Sequence, residues 1–319
     1  MTTAFVLSGG GSLGAVQVGM LQALSERGVR PDLLIGTSAG AINAAFVAGH
    51  GAEPAALEEL AAIWRGLRRQ QVFPFDPLRH LRAIAGRRSS LCPNGPLRRL
   101  IERHLPFRNL EDAAIPLHVV VTNLLSGEEL LLNDGDTLSA VLASAAIPGV
   151  LPPIEREGLV LVDGGVADNA ALSQAVALGA DEIYVLPAGF ACALDRAPSS
   201  ALATSMQALT LLIEQRLVME VSQFDGPAAL KVLPPLCPLS MSSVDFSHAE
   251  ELISRARACT GEWLDSGGPS LPAPARFLSL HDHLGNVGHV GHLGHLGHVG
   301  HLDHLDHLGA EVGAGQVSG

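Results

Sequence analysis

The chain has 319 residues, 47% of them hydrophobic, and a formal net charge of −12 at pH 7. This length and apolar content are enough for one large domain or two with a substantial core. No uninterrupted apolar stretch reaches the roughly 18 residues that a membrane-spanning helix needs, which argues against a transmembrane protein.

The chain begins without the features of a secretory leader. Met1-Thr2-Thr3 runs straight into an apolar segment, with no basic region before it. The cysteines form no C-x-x-C pair, as expected for free thiols in a reducing compartment. We therefore expect a cytoplasmic protein, peripheral at a membrane where it binds one. Secretion that does not depend on a signal peptide would leave the same pattern.

A glycine-rich loop follows the first predicted strand, residues 4–7. Successive glycines at a strand end let backbone N–H groups converge on an anion. Gly9, Gly11 and Gly14 also match the dinucleotide fingerprint G-x-G-x-x-G, and Asp32 lies at a suitable distance for a ribose contact. Asp32 precedes the second predicted strand, however, whereas a ribose-binding acid follows it. The loop is better interpreted as an oxyanion hole, predicted to be formed by Gly9, Gly10, Gly11 and Gly14.

A G-x-S-x-G motif, Gly36 to Gly40, joins the apolar run 33–35 to an alanine-rich segment. Strand, sharp turn and helix is the setting of a nucleophile elbow, in which the serine stands exposed at the strand end. The helix that follows directs its free N–H groups toward the same point. Ser38 is therefore the candidate nucleophile.

Residues 65–108 carry an unusual charge. Eleven arginines and two acidic residues give this segment about +9, which leaves about −21 for the rest of the chain. Its prolines and phenylalanines predict an irregular insertion with short helices. We expect the segment from Arg65 to Arg108 to contact anionic lipid headgroups, or else to form a solvated arginine-rich helix pair. Nucleic acid is not an expected partner, because no binding motif accompanies the charge.

Asp163-Gly164-Gly165 ends a further apolar run, residues 158–162. A carboxylate at the carboxyl end of a strand can meet groups at the ends of neighbouring strands. Asp-Gly is also an ordinary turn signal, so the motif alone leaves both interpretations open.

Taken together, the three motifs resemble those of the patatin-like phospholipases, bacterial type, in which a G-G-G-x-x-G loop, a G-x-S-x-G elbow and a D-G-G or D-G-A aspartate occur in this order. Residues 143–148 resemble the segment before that aspartate. The resemblance covers about residues 4–190 and weakens toward 265. It implies a three-layer α/β/α sandwich with a mostly parallel sheet. One departure is Ala170, where family members usually carry a proline after the asparagine.

The same resemblance implies a lipid acyl hydrolase that needs no cofactor and acts on phospholipids or other lipid esters. Ser38 would be the nucleophile, Asp163 its proton acceptor, and Gly10 and Gly11 the chief oxyanion donors. Gly36, Gly40, Gly164 and Gly165 would complete the motifs. A nucleotide-cofactor-binding protein built on the Gly9–Gly14 loop and a non-catalytic lipid- or metal-binding protein stay open as alternatives.

A Ser-Asp-His triad is another alternative, with His248 as the natural third member. Residues 247–250 nevertheless read as a capping box, with Ser247 as N-cap of a helix over 247–264. This pattern favours a structural role for His248 and a two-residue dyad. A second helix is predicted over 205–221.

The predicted organisation is a catalytic domain over 1–266 and a tail over 267–319. The domain comprises a core at 4–190, the basic cap at about 65–108 and C-terminal helices at 191–266. The tail starts as a Gly- and Pro-rich linker and continues as a His-apolar-Gly repeat with a period of three. It is either low-complexity disorder or a tract that binds Zn²⁺ or Ni²⁺, and no metal is required for catalysis. Its histidines are His289, His292, His295, His298, His301, His304 and His307.

Overall fold

The computed structural model describes residues 1–194, 197–199 and 201–270. The predicted histidine repeat, from His289 to His307, lies outside the described residues, as does most of the predicted linker.

Eight strands form one sheet in the described part of the chain, in the order β5-β6-β3-β2-β1-β7-β8, with β4 also paired to β3. The run from β3 to β8 is parallel, whereas β4 and β6 run antiparallel to β3. The strands are β1 Thr3–Leu7, β2 Leu33–Thr37, β3 Leu117–Asn123, β4 Glu129–Leu132, β5 Ile154–Arg156, β6 Leu159–Asp163, β7 Glu182–Leu186 and β8 Ala229–Val232.

Helices cover both faces of this sheet. The α-helices are α1 Gly14–Glu26, α2 Ala39–His50, α3 Pro54–Gly66, α4 Arg69–Val72, α5 Pro77–Ile84, α6 Gly95–His104, α7 Thr137–Ser144, α8 Leu172–Ala177, α9 Ala201–Ser222 and α10 Ala249–Asp265. The basic segment, residues 65–108, thus contains α4, α5 and α6. Helix α9 is longer than the predicted helix over 205–221.

Side chains on the central strand show why the fold has three layers. Phe5 and Leu7 of β1 point into a core shared with α1, α2, α3, α6, α7 and α10. Ala4 and Val6 point the other way, into a smaller core with α8 and α9. Because successive strand residues face opposite sides, an almost continuously apolar strand must be covered on both faces. The predicted three-layer α/β/α sandwich with a mostly parallel sheet is confirmed.

The first turn of α10 differs from the prediction. The helix begins at Ala249, and His248 is its N-cap residue without a side-chain capping hydrogen bond. The predicted capping box from Ser247 is wrong. The backbone N–H and the hydroxyl of Ser247 both donate to Asp245 Oδ1, at 3.0 and 2.7 Å. The Ser247 hydroxyl is bonded within this local turn and therefore does not cap the helix.

No helix of the described residues combines the length and the apolar character required to span a bilayer.

Candidate active site

Ser38 occupies a strained turn between β2 and α2. Its backbone has φ 55° and ψ −119°, a conformation that costs energy for any residue with a Cβ. Its N–H donates to the Ser144 hydroxyl at 2.8 Å, which helps to hold the turn. A Cβ at Gly40 would overlap the carbonyl oxygen of Leu7, so only glycine allows α2 to start this close to β1. The predicted elbow geometry is therefore present, and the N-terminal end of α2 faces Ser38.

Asp163 reaches Ser38 through the register of three strands. Thr37 pairs with Val120, and Val121 pairs with Asp163. The residue after Thr37 and the last residue of β6 therefore lie at the same level on either side of β3. The Ser38 hydroxyl is close enough to the Asp163 carboxyl group to lower its pKa.

Asp163 lies at the carboxyl end of β6, which runs antiparallel to β3. The carboxyl end of β6 lies beside the second half of β3, at the level of Ser38, and not beyond the end of β3. At Gly164, a Cβ would overlap the carbonyl oxygen of Val120, so glycine lets the chain leave β6 against β3.

The Asp163 carboxyl group is buried. Burial raises its pKa from 3.8 to about 6, and hydrogen bonds from the Ser38 hydroxyl and the Gly165 N–H partly oppose that rise. The Gly165 N–H lies 2.9 Å from Oδ1. A carboxylate with a pKa near 6 is a stronger base than an exposed aspartate and is still mostly ionised at neutral pH.

The glycine loop supplies two free N–H groups. Gly9 N–H donates to Asn169 Oδ1 at 2.7 Å, and Gly14 N–H donates to the carbonyl of Gly11. Within the described residues, Gly10 and Gly11 N–H make no hydrogen bond. Gly11 has φ +59°, and a Cβ there would overlap the carbonyl oxygen of Ser243. Of the four predicted donors, Gly10 and Gly11 are thus the pair available to a ligand.

A largely apolar cavity opens beside Ser38. Its walls come from α2, α3, the basic segment and the loop after α7. The sequence analysis did not predict these lining residues, although the 3–4 residue spacing of apolar side chains in α3 and α6 was a signal for them. The main apolar side chains are Ile42, Phe46, Leu60, Ile63, Trp64, Leu67, Val72, Phe73, Leu97, Leu100, Ile101, Leu105, Ile147, Leu151 and Phe246.

A second cavity shares Ser38, Gly11, Phe73 and Ile147 with the first and also contains Asp163. Asn169 and Glu214 line it, and neither residue was among the predicted site residues. A sequence signal for Glu214 existed, since Glu214 and Glu220 are the acidic residues on an otherwise mostly apolar stripe of α9. That stripe comprises Met206, Leu209, Thr210, Ile213, Leu217 and Val221.

The segment after Asp163 also accounts for the unusual Ala170. Asp168 Oδ1 accepts the N–H groups of Ala170 and Ala171, both at 2.8 Å. A proline at 170 would lack the first of these donors. The turn that carries Asn169 toward Gly9 is therefore held by a side chain in this protein.

The Ser-Asp-His triad and the dinucleotide site find no support in the geometry of the described residues. His248 lines neither cavity, and its ring lies 3.5 Å from Asp245 and 3.8 Å from Glu251. Asp32 accepts the Thr3 N–H at 2.8 Å, at the amino end of β1 and away from the glycine loop. Among the described residues, no group of three or more His, Cys, Asp or Glu side chains is arranged to hold a metal ion.

Comparison with known proteins agrees with the motifs. The family model described as patatin-like phospholipase matches residues 5–176. Lysophospholipase NTE1 of Pyricularia oryzae is 28% identical over 191 residues, which cover 58% of this chain and 12% of that protein. Human patatin-like phospholipase domain-containing protein 6 is 29% identical over 190 residues, covering 59% of this chain and 13% of that protein.

Solved structures show a weaker likeness. VipD from Legionella pneumophila superposes with a TM-score of 0.43 at 16% identity, covering 83% of this chain and 67% of that one. Human GIVD cytosolic phospholipase A2 has a TM-score of 0.40 at 10% identity, covering 88% and 60%. This chain matches only about an eighth of the length of the curated relatives. With the family model covering more than half of its residues, the chain belongs to the patatin-like phospholipase family.

Proposed function

We propose that this protein is a lipid acyl hydrolase in which Ser38 is the nucleophile and Asp163 the general base. The observation that carries the proposal is that strand register brings Ser38 to the level of a buried carboxyl group whose pKa is raised to about 6. A serine hydroxyl needs an adjacent base to become a nucleophile, and a base is most effective when its pKa is near the working pH.

The reaction proceeds in two halves. Ser38 Oγ attacks the ester carbonyl carbon while its proton moves to Asp163, and the resulting oxyanion accepts hydrogen bonds from the Gly10 and Gly11 N–H groups. The carbon–oxygen bond to the alcohol then breaks, and the alcohol departs with the proton from Asp163. Water next attacks acyl-Ser38 with Asp163 again accepting a proton, which releases the fatty acid and restores the serine.

The acyl chain is assigned to the apolar cavity beside Ser38. An alkyl chain has no hydrogen-bonding groups, so it gains most from a wall of aliphatic and aromatic side chains. Relatives named lysophospholipase and the family description support phospholipids and lysophospholipids as the substrate class.

We further propose that the protein reaches its substrate at an anionic membrane surface. Part of the basic segment exposes large apolar side chains, with Phe75 75%, Leu78 55% and Leu81 65% accessible. Exposed arginines lie next to them in the chain. Apolar groups that enter the interface and arginines that meet anionic headgroups together give peripheral binding. This docking surface consists of Phe75, Leu78, Leu81, Arg82, Arg87 and Arg88.

Fatty acid release from mixed phospholipid vesicles tests the catalytic proposal. Ser38→Ala removes the nucleophile and is expected to abolish release while its circular dichroism spectrum stays that of the wild type. Ser254→Ala, an exposed serine on α10, is the matched control and should keep full activity. Equal release by Ser38→Ala and the wild type would refute the role of Ser38.

Sedimentation with vesicles tests the docking surface. The double variant Leu78→Ser/Leu81→Ser should bind vesicles containing anionic lipid more weakly, and added salt should weaken binding of the wild type because charges contribute. Leu125→Ser changes a leucine that is 82% exposed outside the basic segment and is the control. Wild-type binding that is indifferent to salt and to anionic lipid would contradict the proposal.

A further inference from the structure

Glu214 is a buried carboxyl group that the proposed mechanism does not use. It lies on α9 in the wall of the second cavity, where Ser38 and Asp163 also lie, and only 4% of its surface is exposed. Its Oε1 has no hydrogen-bond partner among the described residues. A buried carboxyl oxygen without a partner is costly, so a position of this kind calls for a reason beyond folding.

Asn169 presents a second unsatisfied group to the same cavity. Its Oδ1 accepts the Gly9 N–H at 2.7 Å, which holds the amide plane in place. Its Nδ2 is buried and has no acceptor among the described residues. The cavity therefore offers a carboxyl acceptor and an amide donor that the protein itself does not satisfy.

The ionisable residues in the described lining of the second cavity are all acidic. Asp163 and Glu214 are the ionisable residues in the described lining, and no lysine, arginine or histidine joins them. Burial raises the pKa of Glu214 to about 7, so the group is close to half ionised at neutral pH. A neutral hydroxyl can donate to the Glu214 carboxyl group and accept from Asn169 Nδ2.

The two cavities suit different halves of an ester substrate. Both include Ser38, where the carbonyl carbon must lie, and the first is lined almost entirely by apolar side chains suited to the acyl chain. The alcohol half of the ester is then left to the second cavity. The Asn169 amide, a donor, and the Glu214 carboxyl group, an acceptor, therefore line the cavity that holds the leaving alcohol.

We propose that Glu214, supported by Asn169, binds a free hydroxyl on the alcohol half of the ester, and so selects substrates whose glycerol moiety carries an unesterified hydroxyl. The inference rests on the proposed hydrolase function and deepens it by naming the substrate class. Monoacylglycerols and lysophospholipids share this chemistry, and the assay separates the two sources.

The test compares three lipids with the same acyl chain: a monoacylglycerol, a lysophosphatidylcholine and a fatty acid methyl ester. For Glu214→Leu, we expect kcat/KM to fall about tenfold on the hydroxyl-bearing lipids, as for one lost hydrogen bond to a carboxyl group. Hydrolysis of the methyl ester should be unchanged. Glu214→Gln keeps an acceptor and should recover much of the preference. Gln215→Leu, an exposed neighbour on α9, is the matched control and should behave as the wild type.

The pattern of losses separates the outcomes. A fall confined to monoacylglycerol or to lysophosphatidylcholine supports the proposal and identifies the source of the hydroxyl. Equal losses on all three lipids would indicate a structural role for Glu214 and overturn the proposal, as would no loss on any of them.

Binding to Ser38→Ala makes the test independent of turnover. This variant should bind the hydroxyl-bearing lipids about tenfold more tightly than the double variant Ser38→Ala/Glu214→Leu does, with no difference for the methyl ester. Equal affinities for every lipid would overturn the subsite. Absence of Ser38-dependent hydrolysis combined with the expected binding difference would instead refute the proposed function alone.

Discussion

Asp163→Asn should abolish activity and at the same time stabilise the folded protein at neutral pH. The asparagine keeps an oxygen that can accept the Gly165 N–H, which lies 2.9 Å from Asp163 Oδ1 in the wild type. It cannot accept the Ser38 proton, so we expect hydrolysis to fall by a factor of about 10²–10⁴. The gain in stability follows from removing a buried charge.

The size of that gain follows from the pKa of Asp163. In the unfolded chain this carboxyl group titrates near 3.8, whereas burial raises its pKa to about 6 in the folded protein. Between these values the unfolded state loses its proton while the folded state keeps it. Above pH 6 the folded state carries the buried charge, which lowers the free energy of unfolding by ~3 kcal/mol. Below about pH 4 both states are protonated and the penalty disappears.

Urea unfolding followed by circular dichroism measures this effect. The difference in unfolding free energy between Asp163→Asn and the wild type should grow from pH 4 to pH 6 and stay constant above pH 6. Other titrating groups, Glu214 among them, are present in both proteins and cancel in the difference. Asp134→Asn replaces an exposed aspartate and serves as the matched control, with no growth expected.

A stability difference that does not change with pH would refute this reasoning. So would an asparagine variant that is less stable than the wild type at pH 8, because the buried carboxylate would then be net stabilising. Full activity in the variant would refute the role of Asp163 as the base.

Three further predictions concern the same site. Activity on a soluble short-chain ester should fall about tenfold per pH unit below the Asp163 pKa of about 6, because the ionised carboxylate is the base; a kcat/KM profile that is flat down to pH 5 would contradict this. Gly11→Ala introduces a Cβ where φ is +59° and displaces an oxyanion donor, so kcat should drop by about 10²; Gly28→Ala, at φ +74° with open space around it, is the control for backbone strain. Leu100→Trp fills part of the acyl cavity and should shift preference toward shorter acyl chains; unchanged chain-length selectivity would place the chain elsewhere.

The motifs at Gly9–Gly14, Gly36–Gly40 and Asp163–Gly165 made the family and the layered fold predictable from sequence. Each motif is local, because a turn that approaches another backbone closely admits only glycine, and that requirement can be read from neighbouring residues. The overlap of a Gly40 Cβ with the Leu7 carbonyl shows the constraint in the structure. The apolar runs before each motif likewise indicated buried strands, because a strand that is covered on both faces is apolar along its length.

Contacts between segments far apart in the chain required the tertiary structure. The antiparallel pairing of β6 with β3 sets Asp163 at the level of Ser38, and strand direction is not encoded in the apolar run that precedes the aspartate. The capping box at Ser247 failed because Asp245 competes for the same hydroxyl, a competition that pattern matching does not weigh.

Only packing separated the glycines that can bind a ligand from those already engaged, since Gly9 donates to Asn169, 160 residues away. The same packing brings Glu214 into the wall of the cavity that contains Ser38 and Asp163. Sequence by itself therefore indicated the candidate catalytic groups, because backbone sterics act over a few residues. The fold decided which groups meet, because hydrogen bonding and burial join residues without regard to their separation in the chain.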